Sequence, residues 1–210
     1  MKRFISLLLC FALLLTLGCA ALASSEEPEA PADRPSPEVV EGKRYVTEHV
    51  AGASAVYVSG EQMTFDDTYF YGVGNASSEY ITAQVPNQFG YASVVLAVGQ
   101  GTEVTLNNPT IRSDPQSYSN GVFAAGMAKV TVNGGSITTD NSSGHGVDTT
   151  YMGHVYLYDT VIHTSGGTSG GLASDFGGGF IQGERLNVTT EAGSSPAIFC
   201  AGTTLIMLKD

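Results

Sequence analysis

The fold is decided by residues 121–139, which read GVFAAGMAKVTVNGGSITT. Apolar or small residues recur at alternate positions in three short groups, at Val122 and Ala124, at Val130 and Val132, and at Ile137 and Thr139. Alternation with a period of two residues is typical of a β-strand with one buried face. The stretch therefore predicts three short strands in succession, separated by turns.

The same layout recurs on both sides of this stretch, with equivalent positions 25 to 27 residues apart. The clearest series come from the first and third groups and are Val95, Val122, Val147 and Leu172, and Ile111, Ile137, Ile162 and Val188. Self-similarity at a fixed period of this length is the mark of a repeat protein.

A repeat of about 25 residues with three short strands is one rung of a parallel β-helix, an all-β solenoid. Strands of successive rungs pair about 4.8 Å apart, and no rung can bury its own apolar face. A β-sandwich of hairpins is the rival fold, but it does not explain a constant rung length. The sequence therefore predicts a single-stranded parallel β-helix over residues 43–210.

The corner after each middle strand has its own pattern. Asn108, Gly134 and Asp159 stand two residues beyond that strand in three successive rungs. These residue types tolerate the left-handed backbone of a tight corner. The fourth rung has Arg185 there, so we expect that corner to relax.

Residues 1–23 have the features of an export signal. Lys2 and Arg3 precede an apolar run over residues 4–17, which is too short to span a membrane comfortably. Leu-Gly-Cys at residues 17–19 resembles the end of a bacterial lipobox, which implies lipidation of Cys19, although Thr16 departs from that pattern. The competing site is Ala-Leu-Ala at residues 21–23. Either pattern predicts export, as a cell-surface lipoprotein or as a secreted protein.

Residues 24–42, SSEEPEAPADRPSPEVVEG, predict a disordered, acidic, proline-rich linker. They hold six acidic residues and four prolines against the single basic residue Arg34. Such a segment cannot bury enough apolar surface to offset the entropy of ordering it. We expect a stiff spacer between the envelope and the folded body.

The repeat register is lost between Gly72 and Tyr91. This predicts an inserted loop, and long insertions on a regular scaffold often carry binding. A flap that packs on the side of the β-helix is the alternative.

The last repeat stops early. The first two strands of a rung are matched by Ile198, Cys200, Ile206 and Leu208. The third strand would begin at about residue 213. The spacing predicts an incomplete last rung and a C-terminally truncated fragment of a longer protein.

Charge and cysteine content restrict the function further. The net charge is −11, and removal of residues 1–23 leaves 7 basic residues against 20 acidic ones, or −13. This argues against nucleic acid as a partner and leaves Cys19 as the expected membrane contact.

Only Cys200 remains in the mature body, so no internal disulfide forms. We expect a buried thiol at this inward position.

No nucleotide-binding or nucleophile motif is present. His145, His154 and His163 are nine residues apart, but the rung pattern places them on different sides of the solenoid. Metal ligands must converge on one ion, so we expect no metal site and no cofactor, and nothing supports bound calcium.

Asp148 and Asp175 are the low-ranked candidates for catalysis. Both fall at outward positions of the first strand, one rung and two residues apart, which corresponds to about 8 Å. Inverting glycosidases separate their two carboxyl groups by such a distance. Phe123, Tyr151 and Phe176 are the candidates for stacking a sugar beside them. Two solvent-facing acids without a function are the simpler interpretation.

The segments VTVNGGSITT, VYLYDTVIHT and RLNVTT resemble rungs of the right-handed parallel β-helix of the pectate-lyase-like superfamily. They are most similar to secreted β-helix repeat proteins of Gram-positive bacteria, over roughly residues 55–208. The resemblance implies a right-handed solenoid and a family of polysaccharide lyases, polygalacturonases, carbohydrate-binding modules and adhesins. Lyases of this group have a basic residue near their acidic cluster, and none falls beside Asp148 or Asp175. The fold alone does not establish which reaction, if any, a protein catalyses.

The sequence therefore favours an exported binding or adhesion module over an enzyme, with a host or cell-wall glycan as the expected ligand. The alternative is a polysaccharide-degrading enzyme, an inverting glycoside hydrolase or a lyase, whose site lies on the outer face or beyond Asp210.

Overall fold

The computed structural model describes residues 38–40, 44–47, 53–72, 88–113 and 118–210. These residues form a right-handed parallel β-solenoid of about 5 turns, with about 26 residues per turn. The strands are β1 (Glu38–Val40), β2 (Arg44–Thr47), β3 (Val56–Ser59), β4 (Gln62–Asp66), β5 (Tyr69–Gly72), β6 (Val95–Val98), β7 (Glu103–Asn107), β8 (Thr110–Ser113), β9 (Val122–Ala125), β10 (Lys129–Asn133), β11 (Ser136–Thr139), β12 (Val147–Thr150), β13 (Gly153–Tyr158), β14 (Val161–Thr164), β15 (Leu172–Ser174), β16 (Gly179–Glu184), β17 (Asn187–Thr190), β18 (Ile198–Cys200) and β19 (Leu205–Lys209).

The strands form three sheets, each built from one strand per rung. The first sheet is β3-β6-β9-β12-β15-β18, the second is β4-β7-β10-β13-β16-β19, and the third is β1-β2-β5-β8-β11-β14-β17. All neighbours are parallel except β1, which pairs antiparallel with β2. Val130 pairs with Val104 on one side and Val155 on the other, so the predicted stack and its register are confirmed.

The interior is filled by ladders of like residues from successive rungs. Val122, Val147 and Leu172 pair in one ladder, and all three are fully buried. Near β2, the rings of Tyr45 and Phe70 stack with their centroids 5.6 Å apart and close the core. Full burial of a Val, Leu or Ile side chain contributes about 1.5–3 kcal/mol, so stacking itself stabilises the fold.

The corner between the second and third sheets repeats a left-handed backbone in every rung. The residue has φ of 49° at Asp67, 50° at Asn108, 71° at Gly134, 51° at Asp159 and 54° at Arg185. The expectation that the last of these corners relaxes is therefore wrong.

Arg185 tolerates this corner because it has a partner in the rung below. Its guanidinium donates hydrogen bonds of 2.6 and 2.8 Å to the two carboxylate oxygens of Asp159, which stands at the equivalent corner. These bonds hold the pKa of Asp159 below its usual value. The stacked rungs therefore impose the backbone geometry that the residue type disfavours.

The predicted domain boundaries are only partly visible. The signal segment 1–23, including Cys19, and most of the linker lie outside the described residues. β1 falls inside the predicted linker 24–42, so strand pairing begins before the predicted boundary at residue 43. Among the described residues, no helix has the length and apolar character needed to cross a membrane.

The final rung differs from the interior rungs in exposure. Cys200 keeps its inward position, paired with Ser174, but its side chain is exposed. The expected buried thiol is therefore wrong. Leu205, Met207 and Leu208 of β19 are also exposed.

Candidate functional site

The outer face of the first sheet is covered where β6 and β9 lie. Leu96, Val98, Phe123 and Ala125 form a small apolar cluster outside the solenoid core. Gly90 packs on this cluster so closely that a β-carbon there would collide with the Phe123 ring. Phe123 is fully buried, so the expectation that it offers an exposed ring for a sugar is wrong.

Residues 88 and 89 bind the next part of the same face. The Thr150 hydroxyl donates a hydrogen bond of 2.9 Å to the Gln88 carbonyl, and the Gln88 amide donates one to the Tyr151 hydroxyl. The Phe89 ring stacks on Tyr151 with centroids 5.7 Å apart and an interplanar angle of 13°. Tyr151 is half-buried and already engaged by the chain itself. The end of the insertion therefore acts as the side flap that was one of its two predicted roles.

Asp148 lies beneath this covering, on the outer face of β12. It pairs with Phe123 on one side and Ala173 on the other. The side chain is fully buried, and neither carboxylate oxygen has a hydrogen-bond partner among the described residues. Burial raises the pKa of Asp148 well above its usual value, and the nearby Asp175 carboxylate raises it further. The Thr149 N–H opposes this shift without reaching hydrogen-bond geometry. Burial therefore favours the neutral, protonated form of Asp148.

Asp175 directly follows β15, one rung above Asp148 and two residues along, which is the predicted diagonal placement. It is partly exposed, and its Oδ1 accepts a hydrogen bond of 3.0 Å from the Phe176 N–H. Burial raises the pKa of Asp175, and this hydrogen bond partly offsets the shift. Phe176 is half-buried, and its carbonyl accepts a hydrogen bond of 2.9 Å from the Tyr151 N–H. Asp175 is the member of the acidic pair that a ligand can reach.

Asp175 opens into a cleft of about 150 Å³ on the outer side of the first sheet. The cleft is lined by His145, Asp175, Phe199, Gly170, Pro196 and three hydroxyl residues, Ser143, Thr168 and Ser194. Three successive rungs contribute to it, so the cleft exists only when the rungs are stacked. We call it the His145 cleft.

His145 is held in one orientation by the neighbouring rungs. Its Nδ1 accepts a hydrogen bond of 2.8 Å from the Gly170 N–H. The backbone N–H of His145 donates a hydrogen bond of 2.7 Å to the Asn120 side-chain oxygen. Because Nδ1 accepts, the neutral ring carries its proton on Nε2. Burial lowers the pKa of His145 to about 4, with the Gly170 bond acting in the opposite direction. The imidazole is therefore neutral at physiological pH.

Phe199 forms the aromatic wall of the cleft. Its ring is parallel to that of His145, with centroids 6.2 Å apart and an interplanar angle of 7°. It is 38% exposed, in contrast to the buried Phe123 in the same outward column. One exposed ring and one partly exposed carboxylate thus line the same cleft.

The hydroxyl wall follows from the rung repeat. Ser143, Thr168 and Ser194 have φ of 60°, 61° and 59° and stand at equivalent corners of three rungs. Their backbones are linked through glycines of the next rung: the Ser143 N–H donates a hydrogen bond of 2.9 Å to the Gly167 carbonyl, and the Thr168 N–H donates one of 3.2 Å to the Gly193 carbonyl. The corner therefore places three hydroxyl groups in a row along one side of the cleft.

The other histidines lie elsewhere. The His154 ring contacts Phe180 on the second sheet, and His163 Nε2 lies 3.1 Å from a Glu191 carboxylate oxygen on the third. The predicted separation of the three histidines is thus confirmed. Among the described residues, no group of three or more His, Cys, Asp or Glu side chains is arranged to hold a metal ion.

Sequence reasoning missed Phe199 and the hydroxyl row. The signal was present, because Phe199 falls in the outward column that holds Phe123, Asp148 and Ala173. Whether a member of that column is covered depends on residues outside the repeat, such as 88–90, and the repeat pattern does not contain their position.

Comparisons with known proteins add no relative: no protein-family model, curated protein or solved structure matches this chain. The parallel β-solenoid inferred from the rungs is confirmed by the strand register. Membership of the pectate-lyase-like superfamily stays a prediction.

Proposed function

We propose that this protein is an exported β-helix module that binds a glycan in the His145 cleft. The observation that carries the proposal is the combination of an exposed aromatic ring, a partly exposed carboxylate and a row of hydroxyl groups in one small cavity. Sugars present apolar faces that stack on rings and hydroxyl groups that bind polar side chains. The cavity is smaller than the usual pocket for a drug-sized ligand, which suits a single sugar unit.

The role of each side chain follows from its chemistry. Phe199 supplies the stacking face, Asp175 accepts hydrogen bonds from sugar hydroxyls, and His145 donates from Nε2. The rigid rungs hold these groups before binding, which reduces the entropy lost when a ligand is ordered. Export through residues 1–23 and a tether through residues 24–42, with or without a lipid on Cys19, would present the cleft outside the cell.

A glycan array with the purified protein tests the proposal, and Phe199→Ala identifies the site. We expect this variant to lose about tenfold in affinity, corresponding to about 1.4 kcal/mol. Phe180→Ala is the matched control, because Phe180 lies on the outer face of the second sheet, away from the cleft. The proposal would be contradicted if the protein bound no host or cell-wall glycan on the array, or if both variants bound equally well.

A glycoside hydrolase is the second candidate, favoured by the raised pKa values of Asp148 and Asp175. In that reaction Asp148 would be the general acid and Asp175 the base. It ranks second because Asp148 is fully buried and does not reach the cleft surface. If glycan cleavage is observed and Asp148→Asn leaves its rate unchanged, this candidate is excluded.

A further inference from the structure

The electrostatic character of the His145 cleft restricts its ligand. Its lining holds a carboxylate and no lysine or arginine among the described residues. His145 adds no positive charge at neutral pH, because burial keeps it neutral. An acidic sugar would therefore face Asp175 without a counter-charge, in a chain whose net charge is already −11.

The cations of the described residues are engaged elsewhere. They lie beside an aromatic ring or an acidic side chain outside the cleft, at Arg44 near Tyr69, Arg112 near Asp140, Lys129 near Glu103, Arg185 near Asp159 and Lys209 near Glu184. None of them lines the cleft, so none can neutralise a bound anion there.

Phe199 and Asp175 line the same small cavity, the ring through its exposed part and the carboxylate through its partly exposed side chain. Cations are attracted to the face of an aromatic ring and form charge-assisted hydrogen bonds with carboxylates. A primary ammonium group placed in this cavity can use both interactions. A neutral amide in place of the ammonium group lacks the positive charge on which both interactions depend.

Asp148 adds a second acidic side chain next to Asp175 and contributes no positive charge. It is a fully buried acid without a hydrogen-bond partner among the described residues, and Asp175 is the ionisable group that acts on it. Its neighbours in register are Phe123 and Ala173, and residues 88–90 above this face carry no ionisable side chain. A buried unpartnered polar group is costly to the fold, so its presence calls for an explanation.

We propose that the His145 cleft selects an amino sugar, whose ammonium group lies between Asp175 and the Phe199 ring while its hydroxyl groups meet Ser143, Thr168 and Ser194. This inference rests on the proposed glycan-binding function and specifies its ligand class. A bound ammonium stabilises the ionised form of nearby carboxyl groups.

The test compares three oligosaccharides of equal length by calorimetry at about pH 6, where a primary amine is charged. They are a glucosamine oligomer, an N-acetylglucosamine oligomer and a galacturonate oligomer. We expect the glucosamine oligomer to bind at least about tenfold more tightly than the other two, as for a charge-assisted hydrogen bond.

Two variants with the same change in net charge locate the effect. Asp175→Asn should remove the preference for the amine, whereas Glu103→Gln, on the outer face of the second sheet, should preserve it. A preference that survives Asp175→Asn overturns the inference, because the attraction then comes from the chain's overall charge.

The failures of the two proposals are distinguishable. Equal affinity for the amine and its N-acetyl form overturns the amino-sugar inference but leaves glycan binding intact. Binding of none of the three oligomers, with a silent glycan array, overturns both.

Discussion

At the scale of single residues, Asp148 is the least expected feature of the molecule. Its outward position is visible in the sequence, but an outward acid normally faces water. Here the chain covers it, and neither oxygen gains a partner among the described residues. The fold therefore retains a residue that weakens it, which is typical of functional sites.

Asp148→Asn should stabilise the protein at neutral pH, because an amide has no ionised form that favours the unfolded state. The gain should be about 1.4 kcal/mol for every pH unit between the unfolded-state pKa and the raised folded-state pKa. Below the unfolded-state pKa of 3.8, Asp148 is protonated in both states and does not change stability with pH. As pH rises above that value, the unfolded state ionises while the folded state stays protonated, so stability is lost until the raised folded-state pKa is passed. An asparagine at this position does not titrate, so the variant does not lose stability over this pH range.

Chemical denaturation of both proteins at several pH values measures this difference. The two free energies of unfolding should converge in acid and separate as pH rises. Glu103→Gln, the same acid-to-amide change at an exposed position, serves as the matched control. A constant difference between Asp148→Asn and the native chain at all pH values would contradict a raised pKa.

At the scale of elements, the corners show how the stack overrides local preference. Thr168 is exposed and β-branched, yet it has φ of 61° because Ser143 and Ser194 turn in the same way in the adjacent rungs. A left-handed backbone costs an ordinary residue about 1–2 kcal/mol relative to glycine. The regular corner is maintained by hydrogen bonds between rungs, such as that of 3.2 Å from the Thr168 N–H to the Gly193 carbonyl.

Thr168→Gly should therefore raise the free energy of unfolding by about 0.5–1 kcal/mol, after the added entropy of the unfolded chain is subtracted. Thr189→Gly provides the matched comparison, since Thr189 is exposed within strand β17. Glycine there should lower stability by about 0.5–1 kcal/mol. Thermal unfolding of the two variants measures both signs, and a loss of stability in each would contradict the left-handed corner at Thr168.

The same elements show what the sequence could predict. Period and alternation locate the rungs and the inward ladders, because burial against equivalent residues repeats along the chain. Arg185 was misassigned because residue type alone does not include the ion pair with Asp159. Phe123 was misassigned because residues 88–90, outside the repeat, decide which part of the first sheet is covered. Irregular segments have no repeat period, so the repeat pattern does not predict where they lie.

At the scale of the whole molecule, the site is a product of stacking. His145, Asp175 and Phe199 come from three successive rungs, and no two of them belong to the same strand. The acidic balance of the chain and the absence of cations from the cleft lining favour the same ligand class. Each functional statement therefore depends on the in-register parallel pairing of rungs.

Disulfide trapping between rungs tests that pairing most directly. Thr105 and Thr131 are register partners on the outer face of β7 and β10, at a separation compatible with a disulfide. In a Cys200→Ser background, Thr105→Cys with Thr131→Cys should oxidise rapidly to a bridge in the folded protein. Thr105→Cys with Asn133→Cys, displaced by two residues, should not. Equal trapping of both pairs, or trapping of the displaced pair alone, would contradict the stacked register and the cleft built on it.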